Sequence, residues 1–447
     1  MSIRDSLKKM APGFLTDGYI KLREKIIRAE FRLFGIFTID PDKVAFCNVW
    51  GYGDNPKWIA QAYVRLLENS GSVRDEKRLG KTYFITGKIP ENAAELGDGA
   101  EKIRFVKNNS VRAVFTLATS RIWVDCNRKE SYIKKRRGQC YIQTWHGSLP
   151  LKKIERDCKS SLSGEYLKNA ARDTAMTDIF ISNSEFFNDI CRRAFGFNGK
   201  IFCFGTPRMD PLLAPDAERI EKTKRLVVSK LPEHTVRELG IGDGKIPDGI
   251  KLCLYAPTYR EDDSTAVRKA KRDSLSIKDA LEWKFGGTFI IVTRMHPLAM
   301  SRVSQKDNVY LSFDDDWDYT VDGNGFGDIY GLMEAADVLI TDYSNTLFEF
   351  AEARKPVFLY APDADEYIGS RGMYFDYKEL PYPVSGTKKE LRDSIIHYDT
   401  EKIQKKQKDF FDRFSLIENG RASEKLAKLV RGLSEGPSKI NRRKNGW

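Results

Sequence analysis

Short apolar runs alternate with longer amphipathic stretches along most of the chain. Strands are predicted over residues 44–49, 81–86, 113–118, 141–145, 178–182 and 200–204 of the first half. A helix is predicted over residues 56–68, with Asn55 as its N-cap and Pro56 at its first position. Strands that alternate with helices form parallel sheets covered by helices, so the pattern predicts an α/β fold.

The alternation is interrupted by a polar stretch over residues 216–249, which predicts a hinge between two domains. It then resumes, with strands predicted over residues 251–255, 288–293, 308–311, 338–341 and 357–360. Helices are predicted over residues 276–282, 329–335 and 346–353, and a long charged helical pattern covers residues 401–433. Two such halves predict two Rossmann-like domains facing across a cleft. Their bounds are residues 44–240 and 241–400, with a basic amphipathic segment over 1–43 and a charged helix with a basic tail over 401–447.

Charge narrows the class of partner. The 447 residues carry a formal net charge of +12, which favours nucleic acid, an anionic lipid surface or a phosphate-rich substrate. The seven cysteines are odd in number and scattered without a CxxC pair, which favours a reducing compartment and argues against a disulfide framework or a zinc site. We find no signal peptide and no apolar stretch of membrane-spanning length.

Two of the four histidines follow predicted strands directly. His146 follows the predicted strand over 141–145 and lies between Trp145 and Gly147, a few residues before Lys152 and Lys153. His296 follows the predicted strand over 288–293. Histidine suits proton transfer near neutral pH, and the glycine and lysines favour a phosphate-bearing ligand. A packed or solvated histidine near a turn is the competing interpretation of His146.

Three strand ends in the second half carry polar residues suited to a nucleotide diphosphate. They are Thr258 with Arg260, Arg294 with His296, and Asp342 with the helix-start residues Ser344, Asn345 and Thr346. Carboxyl ends of parallel strands are where open α/β sheets bind ligands, and helix N-termini attract phosphate. Taken singly, each could be an ordinary turn or a helix cap.

The first half supplies weaker signals. Gly51 and Asn55 lie in a glycine-containing loop after the first strand, and Arg208 follows the last one. The basic run over residues 128–137 predicts either a solvated face or a surface that attracts anions. Residues 18–34 predict a basic amphipathic helix, packed on its domain or docked on a membrane surface.

As a set, seven motifs resemble the CDP-glycerol glycerophosphotransferase family of teichoic-acid and capsule polymerases. They are Gly-Tyr-Gly-Asp-Asn-Pro-Lys (51–57), Gln-Thr-Trp-His-Gly with Leu-Lys-Lys-Ile (143–154), Ile-Ser-Asn-Ser (181–184), Phe-Gly-Thr-Pro-Arg-Met-Asp (204–210), Tyr-Ala-Pro-Thr-Tyr-Arg (255–260), Arg-Met-His-Pro (294–297) and Ile-Thr-Asp-Tyr-Ser (340–344). The chain departs from the family's usual pattern at Ser148-Leu149-Pro150, Met209 and Asn345.

The resemblance implies a GT-B fold with an acceptor-side domain over 44–240 and a donor-binding domain over 241–400. It implies that His146 is the base and that His296 acts near the donor phosphates. It assigns Asp342 and Ser344 to the donor phosphates. From their positions at strand ends, helix starts and loops, we place Thr258, Arg260, Arg294, Asn345 and Thr346 with the donor, and Gly51, Asn55, Gly147, Lys152 and Arg208 on the acceptor side.

The expected reaction moves a polyol phosphate, glycerol phosphate in the first place, from a CDP-linked donor to a hydroxyl of a lipid-linked or polymeric polyanionic acceptor, releasing CMP. A peripheral position on the cytoplasmic side of an anionic membrane is expected, with no nucleic-acid partner. No cofactor is firmly implied; a divalent cation such as Mg²⁺ is compatible, although no metal-ligand cluster is visible. A GT-B nucleotide-sugar glycosyltransferase and, more remotely, a non-enzymatic basic surface binder remain alternatives.

Overall fold

A computed structural model of the chain describes residues 13–90, 97, 99–147, 149–242, 246–258, 277–295, 317–364 and 372–435. The chain divides into two compact units. Unit 1 comprises Met1–Gly147, Glu155–Asp210 and Ile417–Trp447, and unit 2 comprises Ser148–Ile154 and Pro211–Leu416. The change from unit 1 to unit 2 therefore falls at residue 210, whereas the sequence pattern placed it at 240.

The described strands are β1 (Asp40–Asn48), β2 (Thr82–Thr86), β3 (Arg104–Lys107), β4 (Ser120–Asp125), β5 (Cys140–Gln143), β6 (Ile179–Ser182), β7 (Lys200–Cys203), β8 (Ile250–Ala256), β9 (Thr288–Thr293), β10 (Thr320–Asp322), β11 (Val338–Thr341), β12 (Val357–Tyr360) and β13 (Val384–Ser385).

The described helices are α1 (Gly13–Phe34), α2 (Asp54–Glu68), α3 (Val73–Leu79), α4 (Val111–Thr119), α5 (Gly164–Met176), α6 (Glu185–Arg193), α7 (Asp210–Leu213), α8 (Ala217–Val228), α9 (Glu233–Glu238), α10 (Ile277–Phe285), α11 (Ile329–Ala335), α12 (Thr346–Glu352), α13 (Lys388–Ile396), α14 (Thr400–Asp412) and α15 (Ala422–Ser434).

Unit 1 is built on a parallel sheet of seven strands in the order β3-β2-β1-β4-β5-β6-β7. Its interior strand β1 is buried on both faces from Val44 onward, as expected for a strand covered by helices on either side. Helices α2 and α15 pack on one face, and α1 and α4 on the other. The carboxyl ends of β1, β4, β5, β6 and β7 therefore lie along one edge.

Unit 2 repeats the architecture with a parallel sheet whose described strands run in the order β10-β9-β8-β11-β12-β13. Strands β8 and β11 are adjacent at its centre, and α10 and α13 pack on one face. The predicted α/β fold of two Rossmann-like halves is confirmed.

Three predicted elements of the first half and the C-terminal region are wrong in detail. Residues 113–118 are not a strand: they lie in α4, whose N-cap Ser110 accepts a hydrogen bond from the backbone N–H of Ala113 (3.1 Å). A short apolar run fits a buried helix as well as a strand, and the true strand, β4, follows it. Helix α2 begins at Asp54 with Gly53 as its N-cap, so Asn55 is not the cap.

The long charged pattern over 401–433 is two helices, α14 and α15, and not one. The carboxylate of Asp210 accepts hydrogen bonds from the backbone N–H groups of Ala422 (3.0 Å) and Ser423 (2.7 Å), which fixes the start of α15 in unit 1. The stretch over 216–249 carries α8 and α9 in its described part. Short strands β3, β10 and β13 were not predicted, and the predicted strand over 308–311 lies outside the described residues.

Candidate active site

The turn after β5 is held in a conformation that its residue does not favour. Trp145 has a φ of +54°, in the left-handed region that normally costs a non-glycine residue about 1–3 kcal/mol. Its backbone N–H donates to the Gln143 side chain (2.8 Å), and its carbonyl accepts from the Asn55 amide (2.9 Å) and the Thr144 hydroxyl (3.1 Å). Side chains therefore hold both peptide groups that flank the strained residue.

This turn presents His146 at the carboxyl edge of the unit 1 sheet. The imidazole Nδ1 lies 2.9 Å from the backbone carbonyl oxygen of Cys126, and the ring stacks on Trp145 with centroids 4.3 Å apart. A carbonyl only accepts, so in the neutral ring Nδ1 carries the proton and Nε2 is the basic nitrogen. The residue is exposed to solvent.

The surroundings of His146 favour that neutral form. Its pKa is lowered from the ordinary value of 6.5. The main cause is desolvation: although part of the side chain is exposed, many protein atoms surround the ring and disfavour its charged form. The Asp54 carboxylate and the hydrogen bond to Cys126 oppose this effect, and the Arg208 guanidinium adds to it. The ring is therefore uncharged near neutral pH, as a general base requires.

A buried polar network supports the turn from within unit 1. Arg128 forms ion pairs with Asp173 and Glu155, each at 3.0 Å, and its guanidinium lies 5.5 Å from the centroid of the Trp145 ring. The Tyr141 hydroxyl donates to the Asp173 carboxylate (3.2 Å) and accepts from the Gln143 amide (2.9 Å). The network joins the basic run to the histidine turn through hydrogen bonds.

The basic run over 128–137 is mostly committed to internal contacts. Lys129 pairs with Asp125 at 2.6 Å, Lys135 pairs with Asp178, and Arg136 donates to the backbone carbonyls of Ala118 and Gly35. Lys134 and Arg137 are the exposed cations of this run. The solvated or anion-attracting face predicted from sequence is thus reduced to two side chains.

The loop that contains Gly51 and Asn55 is joined to the histidine turn. The Asn55 amide donates to the Trp145 carbonyl, and its Oδ1 accepts from the backbone N–H of Arg208 (3.0 Å). The Arg208 guanidinium lies 3.1 Å from both carboxylate oxygens of Asp54, another residue with a left-handed backbone (φ +59°). Asn55 and Arg208, predicted from separate motifs, therefore meet beside His146. Gly51 lies in the same loop.

A small open pocket lies at this edge, lined by Gly147, Asn55, Thr144, Asn183 and Thr206 among others. Part of its wall is fixed by Glu418, which precedes α15 and accepts hydrogen bonds from Asn183 and Thr206. The predicted acceptor-side residues Gly147 and Asn55 thus line a small pocket of mixed polar and apolar surface next to the candidate base.

In unit 2, two predicted donor residues are in contact. Both carboxylate oxygens of Asp342 lie within hydrogen-bonding distance of the backbone N–H of Thr258 (2.9 and 3.1 Å). The N–H of Arg294 donates to the carbonyl of Tyr255 (2.8 Å), which brings the end of β9 to the end of β8. The three strand ends predicted to converge are adjacent at one edge.

The Arg294 side chain is directed at a glycine-rich loop. Its guanidinium donates to the carbonyls of Gly323 (2.7 Å) and Gly327 (2.6 Å), and burial lowers its pKa. The Asp342 carboxylate likewise accepts a hydrogen bond from the backbone N–H of Thr258 and does not cap α12. Both predicted donor residues therefore organise loops at the carboxyl edge of this sheet.

Ser344, Asn345 and Thr346 lie at the start of α12, as predicted. The Thr346 hydroxyl donates to the Ser344 hydroxyl (2.9 Å), and the Asn345 side chain accepts from the N–H of Leu151 (3.0 Å). Lys152, next in the chain, pairs with Met373 in an antiparallel bridge, so it belongs to unit 2 and not to the acceptor-side unit.

Arg260 and His296 lie outside the described residues. Gln143, Asp54 and the Cys126 carbonyl complete the site and were not predicted to act there. A polar residue, Gln143, at the buried end of an apolar strand was the available signal. Across the described ranges, no group of three or more His, Cys, Asp or Glu side chains could hold a metal ion. None of the described helices is both long and apolar enough to cross a membrane.

The fold and these motifs define a class of two-unit α/β transferases. Structures of the wall teichoic acid polymerase TagF match with a TM-score of 0.68: one at 25% identity covers 92% of this chain and 94% of that chain. Another, an altered form with CDPG, matches with a TM-score of 0.68 at 24% identity. The fold class predicted from the sequence is confirmed.

The sequence model described as CDP-Glycerol:Poly(glycerophosphate) glycerophosphotransferase matches residues 29–432, and the chain belongs to this family. A teichoic acid poly(glycerol phosphate) polymerase from Bacillus spizizenii is 27% identical over 423 residues, covering 93% of this chain and 98% of the relative. A polymerase of the same name from Staphylococcus epidermidis is 29% identical over 409 residues, and the chain spans about half its length (51%). The resemblance drawn from the motifs is confirmed, and family membership sets aside the two alternative classes.

Proposed function

We propose that this protein transfers glycerol phosphate from CDP-glycerol to a hydroxyl of a poly(glycerol phosphate)-type acceptor, with His146 as the general base. The observation that carries the proposal is the hydrogen bond of 2.9 Å between His146 Nδ1 and the Cys126 carbonyl. Together with a lowered pKa, it supports a neutral imidazole whose Nε2 accepts a proton.

In the proposed step, the acceptor hydroxyl oxygen attacks the β-phosphorus of the donor. A new phosphorus–oxygen bond forms, the bond from that phosphorus to the bridging oxygen breaks, and CMP leaves with the bond's electron pair. The hydroxyl proton passes to His146 Nε2. The small pocket lined by Gly147 and Asn55 supports an acceptor site beside the base.

Unit 2 supplies the proposed donor site. Thr258 and Asp342 are joined at the strand ends, and Ser344 with Thr346 presents hydroxyl groups next to them. The resemblance supports Asp342, Ser344 and His296 as contacts for a diphosphate, and Arg260 is a further candidate, because such groups stabilise developing charge. Arg294 organises the neighbouring loop, since its guanidinium is bound to glycine carbonyls. Lys152 lies in the same unit, which supports a role towards the donor.

Release of CMP from a panel of donors tests the reaction. CDP-glycerol, CDP-ribitol and common sugar nucleotides are offered with a poly(glycerol phosphate) acceptor, and phosphorus NMR of the product distinguishes a phosphodiester from a glycosidic link. We expect CDP-glycerol to give phosphodiester product. Turnover confined to a sugar nucleotide would refute the proposal.

We further propose peripheral attachment to the cytoplasmic face of an anionic membrane, where a lipid-linked acceptor for teichoic acid or capsule synthesis would be met. Support comes from α1, which packs on unit 1 through Ile27 and Phe31. Leu22, Ile26 and Leu33 are 57%, 40% and 59% exposed. Their spacing of four and seven residues places them on one helical face, away from the packed face.

Cations flank that exposed apolar face. The exposed side chains Lys21, Lys25, Arg28 and Arg32 lie on α1 within a turn of Leu22, Ile26 or Leu33. An interfacial helix buries its apolar stripe among headgroups, and each nearby cation adds about 1 kcal/mol on an anionic surface. This combination of apolar stripe and adjacent cations is typical of reversible membrane docking.

Vesicle co-sedimentation tests the attachment. We expect binding to phosphatidylglycerol vesicles that weakens at high salt, and little binding to phosphatidylcholine. Replacing Leu22, Ile26 and Leu33 with serine should abolish binding, whereas Val73→Ser, which alters a 69% exposed apolar residue on α3, should not. Equal binding by the triple variant and its control would contradict the proposal.

A further inference from the structure

We propose that Gln143 is a positioning residue that sets the direction and the proton-accepting nitrogen of His146. This inference rests on the proposed function, since it assigns Gln143 a role through the base. Gln143 is fully buried and does not line the pocket beside His146, so contact with substrate is not its role.

Three of the four hydrogen-bonding positions of the Gln143 amide are used, including both N–H donors. Oε1 accepts from the Trp145 N–H (2.8 Å), while Nε2 donates to the Asn127 carbonyl (3.0 Å) and to the Tyr141 hydroxyl (2.9 Å). Tyr141 in turn donates to Asp173, so its oxygen accepts from Nε2. Because both acceptors face the nitrogen, the amide has one orientation, with its oxygen on Trp145.

The bonds of Gln143 join the two segments that define the geometry of His146. One segment is the left-handed Trp145, which immediately precedes the histidine. The other is the loop after β4, where Gln143 holds the Asn127 carbonyl and His146 Nδ1 contacts the neighbouring Cys126 carbonyl. One side chain thus fixes both the histidine's backbone and the loop that accepts its Nδ1 proton.

Loss of the Gln143 acceptor would release this arrangement. Without it, the Trp145 N–H is buried unpaired, and the residue is expected to relax out of the left-handed region. His146 would then separate from the Cys126 carbonyl, and both neutral tautomers would be populated. Greater hydration would also raise the imidazole pKa towards its ordinary value.

The experiment compares Gln143→Met with Gln139→Met. Gln139 is a matched control: it is also buried, accepts from the Arg136 N–H (2.8 Å) and donates to the carbonyls of Leu117 and Ser120 (both 2.6 Å). It lies just before β5, whereas Gln143 ends that strand. Both variants lose three hydrogen bonds of a buried amide. The bonds of Gln139 lie at the amino end of β5, and those of Gln143 lie at its carboxyl end, next to His146.

For Gln143→Met we expect kcat to fall about 100-fold with little change in KM for CDP-glycerol, because a displacement near 1 Å has an effect of that order. The acidic limb of the kcat–pH profile should move to higher pH. Nitrogen NMR of histidine-labelled protein should show His146 changing from the Nδ1–H form to a tautomer mixture. Gln139→Met should leave the kcat–pH profile and the NMR signature of the parent unchanged.

An unchanged His146 tautomer and acidic limb in Gln143→Met would overturn the inference, whatever the loss of stability. If Gln143→Met does not fold, the isosteric Gln143→Glu decides: it keeps an oxygen for the Trp145 N–H but puts an acceptor against the Asn127 carbonyl, so a tautomer mixture is expected. An unchanged Nδ1–H signature in that variant would also overturn the inference. The NMR readout does not depend on turnover. Full activity of His146→Ala would instead refute the proposed base and leave the tautomer result standing.

Discussion

The carboxyl edges of the two sheets are organised in different ways. At the histidine turn of unit 1, neutral side chains hold the strained backbone: Gln143 and Asn55 hold Trp145 in the left-handed region, and a histidine follows directly. In the described part of unit 2, charged side chains hold ordinary strand ends and loops. Asp342 binds the N–H of Thr258, and Arg294 binds two glycine carbonyls.

The difference corresponds to what each edge is proposed to do. A general base needs one nitrogen aimed at one hydroxyl, so a strained turn fixed on both sides is suited to it. A diphosphate site needs several donors arranged around a larger anion, and strand ends tied to one another provide that arrangement. The substitutions below test the proposed base in unit 1 and the proposed diphosphate site in unit 2 separately.

The largest effect is expected from His146→Ala. Removing the base should lower kcat about 1,000-fold, within the range for general-base catalysis, while donor affinity is kept because the proposed donor site belongs to unit 2. Turnover assays and donor calorimetry measure the two. His397→Ala is the control, since His397 is an exposed histidine whose Nδ1 also lies on a backbone carbonyl, 2.8 Å from Asp393 O. Comparable turnover in both variants would exclude His146 as the base.

His146 in unit 1 and Glu352 in unit 2 should also respond to pH with opposite sign. The pKa of His146 is lowered, so the unfolded state binds more protons and this residue adds stability as pH rises towards 6.5. Burial, with Asp412 adding to it, raises the pKa of Glu352 in unit 2 from 4.5 to about 7. That contribution to stability is complete below pH 4.5 and is lost as pH rises through about 7.

Glu352→Gln should remove the loss of stability that accompanies ionisation of Glu352. Between pH 5 and 8 the parent is expected to lose about 2.5 kcal/mol more than the variant in free energy of unfolding, from the size of the pKa shift. Urea unfolding of both proteins at the two pH values measures this. Parallel losses in parent and variant would show that Glu352 titrates at an ordinary pKa.

Apolar periodicity and short motifs predicted different parts of the structure. Apolar periodicity located β9, β11 and β12 to the residue or nearly so, because buried parallel strands are continuous apolar runs. It failed for α4, where nine residues fit a helix or a strand equally well. His146 was predicted as the base from a strand end and a motif.

The support around His146 could not be predicted from spacing. Asn55 was expected to cap a helix, but its amide is bound to Trp145 and Arg208, which lie 90 and 153 residues further along the chain. Arg128 and Arg294 were read from their charge as anion contacts, whereas each is bound to protein groups. Long-range partners decide the role of a polar side chain, and a single sequence does not display them.

A smaller effect is expected from Asp342→Ala in unit 2. The variant leaves the Thr258 N–H without its partner, which should cost about 2 kcal/mol of stability and weaken donor binding about tenfold. Asp337→Ala is the matched control: Asp337 accepts from the Leu252 N–H (2.8 Å) just before β11, whereas Asp342 follows that strand. Thermal unfolding and donor calorimetry separate the effects. Equal loss of donor affinity in both variants would mean that Asp342 acts only on stability.

The smallest effect is expected from Ser344→Ala, which tests whether the start of α12 contacts the donor at all. The Ser344 hydroxyl accepts from the Thr346 hydroxyl (2.9 Å) within the helix start, a local bond worth about 1 kcal/mol. If the same hydroxyl also binds a donor phosphate, affinity for CDP-glycerol should fall a few-fold while affinity for cytidine stays the same. Thr387→Ala, which removes a side-chain cap from α13 in the same unit, should leave both affinities unchanged. Equal weakening of both ligands by Ser344→Ala would place the effect on the fold of the unit 2 edge, and the phosphate contact would have to be assigned to other residues.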